Sequence, residues 1–156
     1  MFYIKRIWIR NITFCFVFCQ KSIGSSYYKL GDFNKALGFY KLAYDTRRQV
    51  YVRDAAHPDL AKCLNNIGSA YDCLGDYVHA LEYKHKCLEM RKRLHRDEPN
   101  GENHPDVAAS YANIASTYDC LGDASKAMEY KLRALEIKKS FLKSDKILFD
   151  RRKSII

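Results

Sequence analysis

Tyr71-Asp72-Cys73-Leu74-Gly75-Asp76 recurs unchanged as Tyr118-Asp119-Cys120-Leu121-Gly122-Asp123, 47 positions further along the chain. The same offset carries His57-Pro58-Asp59 onto His104-Pro105-Asp106, Asn66-Ile67 onto Asn113-Ile114, and Glu82-Tyr83-Lys84 onto Glu129-Tyr130-Lys131. Self-similarity at that period marks an array of repeated supersecondary units, each too small to bury its own apolar face.

Working outward from the hexapeptide, Leu60, Ala61, Leu64, Ile67, Gly68, Tyr71 and Leu74 recur at steps of three and four, one face of an α-helix. His57-Pro58-Asp59 is its start signal. Proline suits a first helical turn because its missing N–H would be unpaired there anyway, and Asp59 complements the positive end of the helix dipole. Gly75-Asp76 breaks the helix, and Val78, Ala80, Leu81, Tyr83, Cys87, Leu88, Met90 and Leu94 trace a second helix through about Leu94. The pattern predicts two antiparallel helices, A and B, joined by a tight glycine turn. The next repeat copies it, with helix A over Pro105 to Leu121 and helix B from Ala124 to about Phe141. Gly68 and Ala80 align with Ala115 and Ala127, small residues that let helix axes approach closely. Tyr71 and Tyr118 are expected to plug neighbouring helices, each burial stabilising by about 2 kcal/mol. His95 to Asn103, with Asp97, Glu98, Pro99, Asn100 and Gly101, reads as a solvated loop.

A more divergent first repeat is offset by 44: Leu30-Gly31-Asp32 aligns with Leu74-Gly75-Asp76, and Ile23, Gly24 and Tyr27 with Ile67, Gly68 and Tyr71. Gln20 stands there in place of Leu64. The fold class expected is all-α, an α-solenoid of about three antiparallel helix pairs, with repeats at about 15–50, 57–94 and 104–141 inside an array from 21 to 141. Residues 1–20 are expected to be irregular or a degenerate first helix. Lys5, Arg6 and Arg10 before Phe14-Cys15-Phe16-Val17-Phe18-Cys19 resemble a short secretory signal, but cleavage near Ser22 to Ser26 would cut a packed helix. Residues 142–156 are expected to form a basic cap or tail.

The chain has 156 residues, 47% hydrophobic and 29% charged, enough for a folded domain with a core. Its net charge of +9 is unevenly placed: residues 1–56 carry +7, residues 57–141 carry −1 and residues 142–156 carry +3. Near-neutral repeats are not a phosphate-tracking surface, so neither nucleic acid nor membrane is the expected partner. Arg91-Lys92-Arg93 and Lys138-Lys139 fall in late turns of B helices, where cations suit the dipole. Of the six cysteines, Cys73 and Cys120 hold equivalent positions, which suits small apolar packing with free thiols in a reducing compartment. Cys15 with Cys19 and His79 with His85 lack a second pair to close a zinc site, so no metal or other cofactor is expected. No nucleophile motif, phosphate loop or HExxH helix is present, and His57 and His104 recur as helix starts, so no enzymatic activity or small-molecule substrate is expected.

The run Leu64-Asn65-Asn66-Ile67-Gly68-Ser69-Ala70-Tyr71, followed by Leu74-Gly75-Asp76-Tyr77 and Ala80-Leu81-Glu82-Tyr83, resembles the tetratricopeptide repeat. The HPD helix start, the paired Asn and the Leu-Glu-Met-Arg-Lys segment are similar to the long repeats of kinesin light chains and nephrocystin-like proteins. The resemblance covers about Ser22 to Phe141. It implies a non-catalytic cytoplasmic scaffold or adaptor whose helix A residues line a concave groove holding an extended peptide of a partner protein. The implied groove residues are Lys62, Asn65, Ser69, Asp72 and Cys73, then Ala109, Ala112, Ser116, Asp119 and Cys120. Periodicity agrees, since Lys62, Asn65, Ser69 and Asp72 fall on a different helical side from Leu64, Ile67 and Tyr71. Asn66 and Asn113 lie beside this stripe, where each amide could hold a peptide backbone or bridge adjacent helices. Ala109 and Asn113 stand where a carboxylate clamp would need basic groups, and no sustained heptad is present for coupling to a motor chain. The alternative reading is a structural spacer or a fragment that self-associates end to end.

Overall fold

A computed structural model of the chain describes residues 19–51, 56–98 and 101–153. The described residues are all-α: α1 spans residues 19–29, α2 Phe33–Val50, α3 Pro58–Cys73, α4 Tyr77–Leu94, α5 Pro105–Leu121 and α6 Ala124–Lys153. They divide into two compact units, one through Cys87 and one from Leu88.

The Leu-Gly-Asp element makes the turn three times by one mechanism. Gly31, Gly75 and Gly122 have φ of +80°, +77° and +83°, left-handed backbone in which a Cβ would be strained. The aspartate that follows caps the next helix: Asp32, Asp76 and Asp123 accept the backbone N–H of Lys35, His79 and Lys126 at 3.1, 3.2 and 3.0 Å. All three carboxyls are held below the usual carboxylate range. For Asp32 the Lys35 side chain is the main cause; for Asp76 and Asp123 it is the backbone hydrogen bond.

In the first unit, α1 and α2 approach so closely that a Cβ on Gly24 would lie 2.8 Å from the Tyr40 ring. The same close approach recurs between α3 and α4, where a Cβ on Gly68 would meet Lys84 Cγ at 2.8 Å and the Ala80 carbonyl at 3.2 Å. Ala36, Tyr40, Ile67 and Ala70 form the buried centre, with Leu37, Tyr44, Tyr71 and Tyr83 packed round it. Tyr71 receives groups from two neighbouring helices: its hydroxyl accepts from Lys41 Nζ of α2 at 2.8 Å, and its ring stacks on Tyr83 of α4 at 5.6 Å.

In the second unit α5 packs on α6, and Val107, Ala108, Ile114, Ala115, Ala127 and Ala134 are buried. Arg91 Nη1 donates to the Asp106 carbonyl at 2.8 Å and to Ser110 Oγ at 2.9 Å, tying the end of α4 to the start of α5. The loop after α4 is exposed at Arg96, Asp97, Glu98 and Glu102, as expected of a solvated segment, but it also folds back on itself. Gly101 is buried in a short 3₁₀ turn over Gly101–Asn103, and a Cβ there would sit 1.6 Å from the His95 carbonyl oxygen, so only glycine fits. The loop folds back because its backbone groups pair with one another, from Glu98 N to His95 O through Gly101 N to Glu98 O and His104 N to Gly101 O. Beyond Phe141, where the periodicity placed the end of helix B, α6 continues to Lys153. Residues 1–18, with the signal-like run and Cys15, lie outside the described residues.

Candidate protein-interaction face

Helix α3 turns Leu60, Ala61, Cys63, Leu64, Ile67, Gly68 and Ala70 inward, which leaves the opposite side to Lys62, Asn65, Asn66, Ser69, Asp72 and Cys73. Lys62 and Cys73 are exposed, and the other four are half-buried. Helix α5 repeats the division. It buries Val107, Ala108, Ser110, Tyr111, Ile114, Ala115 and Thr117, while Ala112, Ser116, Asp119 and Cys120 are exposed and Ala109 and Asn113 half-buried. Each helix therefore carries its own polar stripe, and in each unit the stripe includes an asparagine, a serine, an aspartate and a cysteine at the same register.

The two aspartates have defined partners. Lys84 of α4 pairs with Asp72, and Lys131 of α6 pairs with Asp119 at 2.7 Å. These carboxylates fasten helix A to helix B and so present less free negative charge than the sequence suggests. Lys62 also reaches Asp59, at 3.8 Å. Cys73 Sγ lies 3.1 Å from the Tyr28 hydroxyl, whose pKa is pushed up to about 12, chiefly by that hydrogen bond and then by burial. Cys19, Cys63, Cys73, Cys87 and Cys120 are all free thiols.

Each helix start is built as the HPD signal predicts, with one addition. His57 and His104 are themselves the N-caps, their Nδ1 atoms accepting from the Asp59 and Asp106 backbone N–H groups, each at 3.1 Å. An aromatic ring covers each cap: Tyr51 stacks on His57 at 3.7 Å and His95 on His104 at 3.4 Å. Tyr51 and His95 are separated by the 44-residue offset, so the device belongs to the repeat plan.

This geometry brings together a group that the spacing of cysteines and histidines did not reveal. The ligand atoms of His95, Glu98 and His104 lie within 4.8 Å of one another. His95 Nδ1 is 2.9 Å from Glu98 Oε1, and this contact is the main cause holding the Glu98 carboxyl below its usual range. Within the cluster, His104 is committed to capping. With His104 Nδ1 accepting from a backbone N–H, the ring's single proton sits on Nε2, and the stacked rings hold their in-plane lone pairs in near-parallel planes.

Models of the tetratricopeptide repeat match residues 19–93 and 108–141, together more than two thirds of the chain. The chain belongs to the tetratricopeptide-repeat family. Its fold is the all-α solenoid class of helix pairs. Solved structures share the fold. BtubC (BKLC) from P. vanneervenii matches with a TM-score of 0.68 at 24% identity, over 80% of this chain and 47% of that one. A P. anserina putative kinesin light chain with nearly identical TPR-like repeats matches with a TM-score of 0.65 at 18% identity, over 80% and 56%. The TPR domain of Arabidopsis FLU matches with a TM-score of 0.64 at 20% identity, over 80% and 95%. The chain thus spans about half the length of the first two. No curated protein sequence matches it significantly. Tetratricopeptide repeats serve generally as protein-interaction scaffolds. Among the described residues, no helix is long and apolar enough to cross a membrane.

Proposed function

We propose that this tetratricopeptide-repeat chain is a non-catalytic cytoplasmic adaptor that holds extended peptide segments of a partner protein on the polar stripes of α3 and α5. The observation that carries the reading is the return, 47 residues apart, of a half-buried asparagine beside a serine: Asn66 with Ser69, and Asn113 with Ser116. An amide offers both a donor and an acceptor to the backbone of an extended peptide, and each unit presents one on its own stripe. With Asp72 and Asp119 paired to lysines, the stripes are close to neutral. Binding should therefore vary little with salt, unlike contact made through the basic flanks.

The test is a peptide-library screen of the purified chain beside an Asn66→Ala/Asn113→Ala variant of unchanged helicity. Hits lost in the variant would support the stripes as the binding surface and supply the partner's motif. An absence of hits, or hits indifferent to both substitutions, would sink the proposal.

A further inference from the structure

The first unit contains a complete joint between one repeat and the next. Helix α2, the second helix of its repeat, receives α3, the first helix of the repeat that follows. Leu37 and Tyr44 of α2 pack against the cluster holding Ile67 and Ala70. Lys41 Nζ donates to the Tyr71 hydroxyl and Arg47 Nη1 to Cys63 Sγ, each at 2.8 Å. On the receiving side, Ile67 and Ala70 are fully buried and Cys63 nearly so.

Both halves of this joint occur again among the described residues, there with the matching face exposed. Adding the two repeat offsets, 44 and 47, carries Leu37, Lys41, Tyr44 and Tyr51 onto Met128, Leu132, Leu135 and Leu142 of α6. Those four are 58%, 51%, 47% and 67% exposed, an apolar stripe along one side of the helix. At the other end, subtracting 44 carries Cys63, Ile67 and Ala70 onto Cys19, Ile23 and Ser26 of α1. Cys19 and Ser26 are exposed and Ile23 is 41% exposed, whereas Ile67 and Ile114 are fully buried. One exposed face has the register of a helix B awaiting a helix A, and the other that of a helix A awaiting a helix B.

We infer that the chain associates head to tail with a second copy of itself, α6 of one copy receiving α1 of the next as α2 receives α3. The occupant is set by register. Leu132 stands where Lys41 meets Tyr71, so it would face Tyr27 of the second copy. Lys138 stands where Arg47 meets Cys63, so it would face Cys19. A contact of this kind is heterologous: each copy uses two different surfaces, and association continues beyond the dimer. It is independent of the peptide reading, because Asn66 and Asn113 take no part in it.

Sedimentation velocity of the full chain tests this. The average mass should rise with concentration, and the melting point with it. A head variant, Ile23→Asp, and a tail variant, Leu132→Asp/Leu135→Asp, should each remain a single chain at every concentration. Mixed in equal amounts, they should form a complex of twice the chain mass and no larger, because only one intact head and one intact tail remain. The Asn66→Ala/Asn113→Ala variant should associate as the wild type does. A wild-type chain that stays monomeric throughout overturns the inference and leaves the α6 face to a helix of another protein. A head variant that still dimerises alone also overturns it, in favour of tail-to-tail pairing. Should the tail variant lose helicity, Lys138→Cys in a background with Cys15, Cys73 and Cys120 changed to Ser supplies a second test. Air oxidation with a copper catalyst should cross-link copies in a ladder, and Cys19→Ser should abolish it; an unlinked chain overturns the inference.

Discussion

The Lys84 ammonium of α4 lies against the Asp72 carboxylate of α3, with 3% of the lysine side chain and 19% of the aspartate exposed. Its repeat-equivalent, Lys131 with Asp119, has the same connectivity but 51% and 45% exposure. Removing one partner of a desolvated pair strands the other, whereas an exposed pair is screened by water. Asp72→Ala should therefore destabilise by about 3 kcal/mol, and Asp119→Ala by less than about 1 kcal/mol. Urea denaturation of the two variants checks this; equal losses would contradict the burial difference.

Glycines at two kinds of position should respond with opposite signs. Gly75 has positive φ, so Gly75→Ala forces a Cβ into left-handed backbone and should destabilise by about 1–2 kcal/mol. Gly38 lies inside α2 with nothing within 4 Å of a built Cβ, so Gly38→Ala should stabilise by about 0.5–1 kcal/mol. Thermal unfolding followed by circular dichroism reads both signs.

The histidine caps predict which replacements are tolerated. His104→Ala removes the acceptor for the Asp106 N–H and the ring that meets His95, and should lower stability by about 1 kcal/mol or somewhat more. His104→Asn restores the acceptor and should recover most of that loss. If Asn proved no better than Ala, the stacked ring rather than the hydrogen bond would be what holds the start of α5.

Acid should undo the three Leu-Gly-Asp turns together. Because the folded state holds Asp32, Asp76 and Asp123 below the ordinary value of 3.8, their stabilisation is present above that value and is lost as pH falls through their lowered values. Changing all three to Asn keeps a capping oxygen but removes the titration. The wild type should thus lose melting temperature more steeply than the triple variant below about pH 4. Parallel curves would show that these caps do not contribute to the acid sensitivity.

Gly101 gives the largest effect expected of a single methyl group. The Cβ of Gly101→Ala would lie 1.6 Å from the His95 carbonyl oxygen, so the loop must open and take the His95–His104 stack with it. A loss of about 1–3 kcal/mol is expected in chemical denaturation. A neutral outcome would mean that the loop opens at little cost.

What the sequence by itself determined is local and periodic. The helix stripes, the glycine turns and the HPD starts depend on residues within a few positions of one another, so spacing alone set the helix pairs and the faces of α3 and α5. Even the departure of Gln20 from the plan was legible. It is buried with both amide atoms unpaired, a polar group where the other repeats place Leu64 and Tyr111 in the core. Only the tertiary structure decided matters of environment. Lys84 and Lys131 occupy one position in the repeat, yet one is buried and the other exposed, because desolvation depends on what packs around a side chain. His95 and His104 meet across a loop whose closure needs Gly101, and no fixed periodicity encodes that return. Leu88 and Leu135 likewise share a register; one is buried and the other open, since a repeat specifies the face it offers but not whether another helix arrives to cover it.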